Sequence, residues 1–290
     1  MARKLLTNKN DLLFVVIVYG LLIISMLLVV FPFLYVIFSS FSTKAEYISR
    51  GFYIFPKEWT LNSYGYLLNH RGFLASFSNT FYISIVGTMI NVIITCLMAY
   101  GLSKQWLKGR AILNFLVLFS MIFNGGIIPT YMIVKELGLI DSYWSLFLSG
   151  AIAPFILIIM RSFFSTIPSE LEEAARMDGC NEWRLLFRIA IPLSLPSIIT
   201  ISLMYGVAHW NSYFQAILYL NSSSKWPVQV FLRQLLLESD SAMELNIGAF
   251  EYGPPVQMAA VIATALPLLV CYPFLQKYFN KGMLVGSVKG

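Results

Sequence analysis

The chain has 290 residues, of which 58% are apolar, 16% aromatic and 12% charged, with a mean hydropathy of +0.73. Soluble proteins carry about 45–50% apolar and about 25% charged residues, so this composition excludes a soluble globular protein and points to an integral membrane protein. The net charge of +6 is a topology signal rather than a nucleic-acid footprint, and Cys96, Cys180 and Cys271 form no disulfide framework.

A helix needs about 20 apolar residues to cross the hydrocarbon core. Six stretches free of Asp, Glu, Lys and Arg reach or approach that length: 12–43, 72–103, 111–134, 142–160, 189–224 and 252–276. The expected fold is an all-α integral membrane protein with six transmembrane helices. It is read as a single transmembrane domain over 1–290, with spans near 12–38, 74–102, 111–134, 142–160, 192–220 and 256–278. A β-barrel would show alternating segments of roughly ten residues instead. The first run follows Met-Ala-Arg-Lys, but it continues past the roughly 7–15 apolar residues of a signal-peptide core. It is expected to be a retained helix.

Basic residues set the orientation. With the N-terminus in the cytoplasm, thirteen of the 20 basic residues face the cytoplasm, and both termini lie on that side. Acidic residues divide the other way, so the charge asymmetry agrees with the basic count. A bacterial cell-membrane location is expected. The long outer segments are then 44–71 and 225–251, and the long cytoplasmic link is 161–188.

That cytoplasmic link encodes its own short helix, expected over 170–178. Ser169 with Glu172 has the spacing of a capping box. Glutamates crowd the first turn, where the helix dipole favours them, and Gly179 suits a left-handed C-cap. Leu171, Ala174 and Ala175 are spaced to share one shallow face, and Asn181 can cap a second helix rising towards Pro192. Helices that lie on membranes carry basic polar faces. Three glutamates at the start fit a docking helix for a soluble partner better.

Glu173-Ala174-Ala175, Gly179, then Ile189 and Ile191-Pro192 resemble the EAA motif of ABC importer permeases. The sequence departs from that pattern only in having Ile191 where leucine is usual. Asn124-Gly125-Gly126, Trp210-Asn211 and the terminal Lys281-Gly282 with Ser287-Val288-Lys289-Gly290 are similar to the second permease subunit of maltose-type importers, especially the branch for complex oligosaccharides or polysaccharides such as alginate. The resemblance implies a type I ABC importer permease fold with a cytoplasmic coupling helix between helices 4 and 5. Glu172, Glu173, Ala174, Ala175, Asp178, Gly179, Ile189 and Pro192 become the candidate ATPase-coupling residues. The implied partners are a second permease subunit, two ATP-binding subunits that hold ATP and Mg, an extracytoplasmic sugar-binding protein and membrane lipid. No cofactor is expected in this chain, and no nucleic acid.

The chain has no phosphate-binding G-x-x-x-x-G-K-[ST] loop, and its two histidines, His70 and His209, have no triad setting. No metal-ligand spacing is present, so the chain is not expected to be an enzyme. The fifth span carries His209-Trp210-Asn211-Ser212-Tyr213-Phe214-Gln215, with His209/Tyr213 and Asn211/Gln215 at i, i+4 spacing. Two readings stand for it: helix-to-helix hydrogen bonding with an interfacial aromatic belt, or a saccharide path. On the second, His209, Trp210, Asn211, Tyr213, Phe214 and Gln215 are candidate path residues, with Asn124, where Asn-Gly-Gly and Pro129 interrupt the third span. In the outer segment, 229–237 has the apolar content of a short helix. The resemblance makes Ser239, Asp240, Glu244 and Asn246 candidate contacts with the binding protein.

An ion-gradient-driven secondary sugar transporter is the alternative. It calls for acidic or lysine residues inside the spans, which the six apolar stretches lack. A membrane-embedded enzyme is third and lacks a catalytic set.

Overall fold

The computed structural model describes residues 9–244 and 253–287. Fifteen α-helices make up most of the described chain, with a π-helical stretch at Leu186–Ala190 and a 3-10 turn at Ser223–Lys225. The described residues divide into two compact units, Met1–His70 with Leu235–Ala263, and Arg71–Gln234 with Thr264–Gly290.

In the first unit, α1 (Lys9–Ser40) is apolar on every side, and no residue in its most apolar stretch is buried. A helix that is apolar all round in this way requires a non-aqueous surrounding. Two short helices follow, α2 (Lys44–Arg50) and α3 (Asn62–Asn69). The Thr43 hydroxyl caps α2 by accepting from the Glu46 amide. The buried Glu46 carboxylate then accepts from the amides of Lys57 at 2.7 Å and Glu58 at 3.3 Å, and pairs with Arg50. Those amides, Lys57 first, hold the Glu46 carboxyl below its ordinary pKa. Aromatic rings fix the loop against the end of α1: Tyr35 stacks on Phe52 at 5.4 Å, and Phe38 meets Phe55 at 4.7 Å.

The second unit is built around α4 (Arg71–Ser103), a 33-residue helix that at 1.5 Å per residue is about 50 Å long. Ahead in the chain lie α5 (Arg110–Ile122), α6 (Ile127–Glu136), α7 (Tyr143–Leu148) and α8 (Pro154–Ser165). The expected third span is broken: α5 and α6 meet at 115°. Gly126, at φ +88°, makes the turn, and the Asn124 carboxamide oxygen accepts from its amide. The expected fourth span is broken as well, with a non-helical stretch between α7 and α8 that ends at Pro154.

Next come α9 (Ser169–Met177), α10 (Glu182–Leu185), the π-helical stretch, α11 (Ile191–Leu193), α12 (Leu195–Trp210), α13 (Phe214–Tyr219), α14 (Val228–Glu244) and α15 (Pro254–Ser287). Pro192 and Pro196 remove helix N–H donors, and the chain turns by 83° between 182–193 and α12. Three helices in the described chain are long and apolar enough to cross a membrane, or six if each bent pair forms one span.

Helices α8 and α12 pack along α4. The core has two parts. One collects Ala99, Tyr100, Met160, Phe164, Ala175, Leu185 and Tyr205; the other collects Ile83, Phe147, Ala216, Tyr219 and Val230. Near the start of α4, Asn79 donates to the carbonyls of Ser224 and Trp226, and Thr80 accepts from the Val228 amide. At the other end, Tyr100 and Lys104 reach Glu182 and Glu172. The segments 224–228 and 172–182 therefore lie at opposite ends of one helix longer than the bilayer core is thick, about 30 Å.

Candidate functional sites

Helix α9 starts one residue earlier than expected, and its start is built differently. The expected capping box between Ser169 and Glu172 does not form: Pro168 is the N-cap and makes no side-chain cap. The Glu172 carboxylate turns instead to the ammonium of Lys104. A charged donor gives a stronger bond than a backbone amide, so the long-range pair displaces the local cap. The far end of α9 is as expected. Gly179 has φ +80°, its amide donates to the Arg176 carbonyl, and the Cys180 amide donates to the Ala175 carbonyl. These two bonds make a Schellman motif. Asn181 accepts from the Arg184 amide and caps α10.

The shared face expected of Leu171, Ala174 and Ala175 is divided. Ala175 is 8% exposed and belongs to the core, whereas Leu171 and Ala174 stay exposed beside Glu173. Met177, 88% exposed, continues that outward surface, with Asp178 and Gly179 exposed behind it. Ile189 packs partly against the core, and Pro192 is exposed on α11. Arg176 pairs with Glu182 at 2.8 Å, which ties α9 to α10.

The polar residues of the fifth span do not form one continuous helix face. Helix α12 ends at Trp210 and α13 starts at Phe214, so the i, i+4 pairs expected for His209/Tyr213 and Asn211/Gln215 do not exist. Asn211 caps α12 and sends its amide group back to the Val207 carbonyl. His209 is buried, and the Asn91 carboxamide nitrogen lies 3.0 Å from its Nε2. The same Asn91 nitrogen donates to the Gly150 carbonyl, in the break between α7 and α8. The Tyr205 hydroxyl accepts from the Ala153 amide at 3.0 Å and bonds Thr95 at 2.8 Å. The unwound backbone at 149–153 thus finds side-chain partners on α4 and α12, as backbone outside a helix must in lipid.

These groups surround a cavity of about 190 Å³ lined by Asn91, Ser149, Tyr205, His209, Ser212 and Gln215, among others. The Asn91 carbonyl oxygen and the Ser212 hydroxyl are buried there without a protein partner. Trp210 points elsewhere. Its indole N–H donates to the Thr264 carbonyl at 3.2 Å, and its ring lines an apolar cavity of about 580 Å³ with Phe81, Met89 and Pro267. Tyr213 packs partly against the second core cluster, and Phe214 is exposed. Asn124 sits at the α5–α6 turn, away from both groups of cavity-lining residues.

The helix expected over 229–237 is the first part of α14. It is anchored by buried Val228 and Val230. Ser239, Asp240 and Glu244 lie on its continuation, with side chains beyond the described ones, and Asn246 is outside the described residues. At the start of this segment Asp141 holds the chain. Its carboxylate accepts from the amides of Asn221 and Ser222 and pairs with Lys225.

Sequence reading missed Asn91, Thr95, Tyr205 and Lys104 as site residues. One signal was present: Gly87, Asn91 and Thr95 recur every four residues, which places three non-apolar positions on one face of α4.

The model of the family "Binding-protein-dependent transport system inner membrane component" matches residues 8–285, and the chain belongs to that family. It is thus a membrane subunit of a binding-protein-dependent transporter, with the type I importer permease fold. It is 46% identical over 287 residues to the polygalacturonan/rhamnogalacturonan transport system permease protein YtcP of Bacillus subtilis (strain 168), covering 97% of this chain and 100% of that protein. It is 49% identical over 264 residues to Protein LplC of the same organism, covering 90% of each. A chain in the crystal structure of a bacterial ABC transporter involved in the import of the acidic polysaccharide alginate matches with a TM-score of 0.86 at 32% identity, covering 94% of this chain and 98% of that one.

Proposed function

We propose that this chain is a permease subunit of an ATP-driven importer for oligosaccharides or polysaccharides, and that uronate-rich saccharides are its substrate class. It forms half of the translocation path with a second permease subunit and couples to separate ATP-binding subunits through α9. The substrate class rests on its relatives: one is named for polygalacturonan and rhamnogalacturonan, the other for the acidic polysaccharide alginate. The N- and C-termini are read as cytoplasmic from the basic-residue count.

The observation that carries the coupling reading is the exposed surface of α9. Ala175 anchors the helix, the Schellman turn at Gly179 stops it, and Leu171, Glu173, Ala174 and Met177 face outward. A surface that exposes Leu171, Ala174 and Met177 beside Glu173, on a helix stopped by a Schellman turn, suits insertion into a groove of another protein. The cavity at Asn91, His209 and Gln215 is the part of this chain best suited to saccharide hydroxyls, because it offers unpaired acceptors beside an unwound helix. Residues 239–246 are read as the contact with the binding protein.

The test is hydrolysis of ATP by the purified full complex in lipid vesicles. Binding protein loaded with an oligogalacturonide is expected to raise the rate above basal and to deliver the saccharide across the bilayer. ATP hydrolysis indifferent to the loaded binding protein would overturn the reading.

A further inference from the structure

Lys104 is a charge in an improbable place. It follows the last residue of α4, is 5% exposed, and holds its ammonium 3.9 Å from the centre of the Tyr100 ring. A buried ammonium is tolerated only when it is paired, and the partner here is Glu172, in the first turn of α9. The connection does not end there. The Tyr100 hydroxyl donates to one oxygen of Glu182 at 3.3 Å, and Arg176, in the last turn of α9, donates to the other at 2.8 Å. Both ends of α9 are thereby tied to the last turn of α4 and the residue that follows it, one end directly and the other through Glu182.

The same helix reaches the polar layer. Counting back from Tyr100, Thr95 bonds Tyr205, and Asn91 bonds the Gly150 carbonyl and faces His209. Helix α4 is unbroken from Arg71 to Ser103 and has no internal proline, so a displacement at its end is carried to its middle. The Lys104–Glu172 pair also borders a polar pocket of about 340 Å³ that includes Gln105, Ser169, Glu173 and Arg176. The pocket lets water reach the Glu172 carboxylate beside its lysine partner.

We infer that Lys104 is the positioning residue that transmits movement of α9 to α4, and through α4 to the unwound segment at 149–153. This rests on the proposed docking of α9 with the ATP-binding subunit, and the measurements below separate the two.

The test uses Lys104→Met, Glu172→Gln, the double variant and Lys104→Arg in the full complex in vesicles, with oligogalacturonide-loaded binding protein. Basal hydrolysis, stimulated hydrolysis and the co-purified ATP-binding subunit are read on each sample. A coupling residue is expected to change stimulation about 5- to 150-fold. Lys104→Met and Glu172→Gln should each lose stimulation in that range, and in Lys104→Met, which lies outside α9, basal hydrolysis should hold. The double variant should lose no more than either single one, since both remove one interaction, and Lys104→Arg should retain stimulation. Unchanged stimulation in Lys104→Met, additive losses, a parallel fall in basal hydrolysis, or loss of the ATP-binding subunit from Lys104→Met alone would each overturn the relay. Failure of the wild-type complex to hold the ATP-binding subunit through α9 would instead overturn the docking reading.

Discussion

The imidazole of His209 occupies the space that a side chain at Gly87 would need: a Cβ there would lie 2.6 Å from Nε2. Small residues let membrane helices approach closely, and here one glycine lets α12 set a polar ring against α4. Gly87→Ala is expected to destabilise the protein by about 1–3 kcal/mol, the usual cost of overpacking. Thermal unfolding in mild detergent should show it as a lower Tm. His209→Ala in the same chain should recover part of the loss. A Gly87→Ala protein with wild-type Tm would show that the two helices are not held this closely.

Asp141 has a charge whose role depends on pH. It has φ +58° and is held well below the usual carboxylate range, first by Lys225 and then by the Ser222 hydroxyl and amide. A carboxyl with a depressed folded pKa contributes stability that is complete above the ordinary value of 3.8 and lost as pH falls through the folded one. Asp141→Asn tolerates the left-handed backbone and removes only the charge. The variant is expected to melt below wild type at neutral pH, with the gap closing in strong acid. A gap that stays constant down to acid pH would remove Asp141 from the pH dependence.

The two ends of α4 give the topology a direct check. Reporters fused after Lys108 and Arg188 are expected to read cytoplasm, and reporters at Lys57 and Ser223 the outside. The reversed pattern would turn the molecule over and put α9 on the wrong side for an ATP-binding subunit.

Deleting 239–246 is expected to abolish stimulation by the binding protein and to leave basal ATP hydrolysis of the assembled complex in place. Full stimulation after the deletion would reduce that segment to a structural link between α14 and α15.

Apolar runs and their lengths were enough to read the helical membrane architecture, and spacing alone placed the end of α9. Local chemistry accounts for that success: Gly179, Asn181 and Asn124 act on their own neighbours, within a few residues. What was misread depended on distance. The Ser169–Glu172 box lost to a partner 68 residues away in Lys104. His209 was paired along its own helix, but its partner is Asn91, 118 residues distant. Gly150 and Pro154 mark the break at 149–153 only weakly inside an apolar run, and the break at 211–213 holds neither glycine nor proline. The breaks are stabilised by Tyr205, Asn91 and the packing of α13, none of which a run of apolar letters reveals.

The most direct test of the central claim is a photo-crosslinker at Met177, 88% exposed on α9, in the intact membrane complex. The account predicts capture of an ATP-binding subunit, identified by its own phosphate-binding loop, and the loss of that capture in Gly179→Trp, where a bulky side chain cannot adopt the left-handed turn without strain. A Met177 crosslinker that captures no ATP-binding subunit in a complex that still hydrolyses ATP would contradict it.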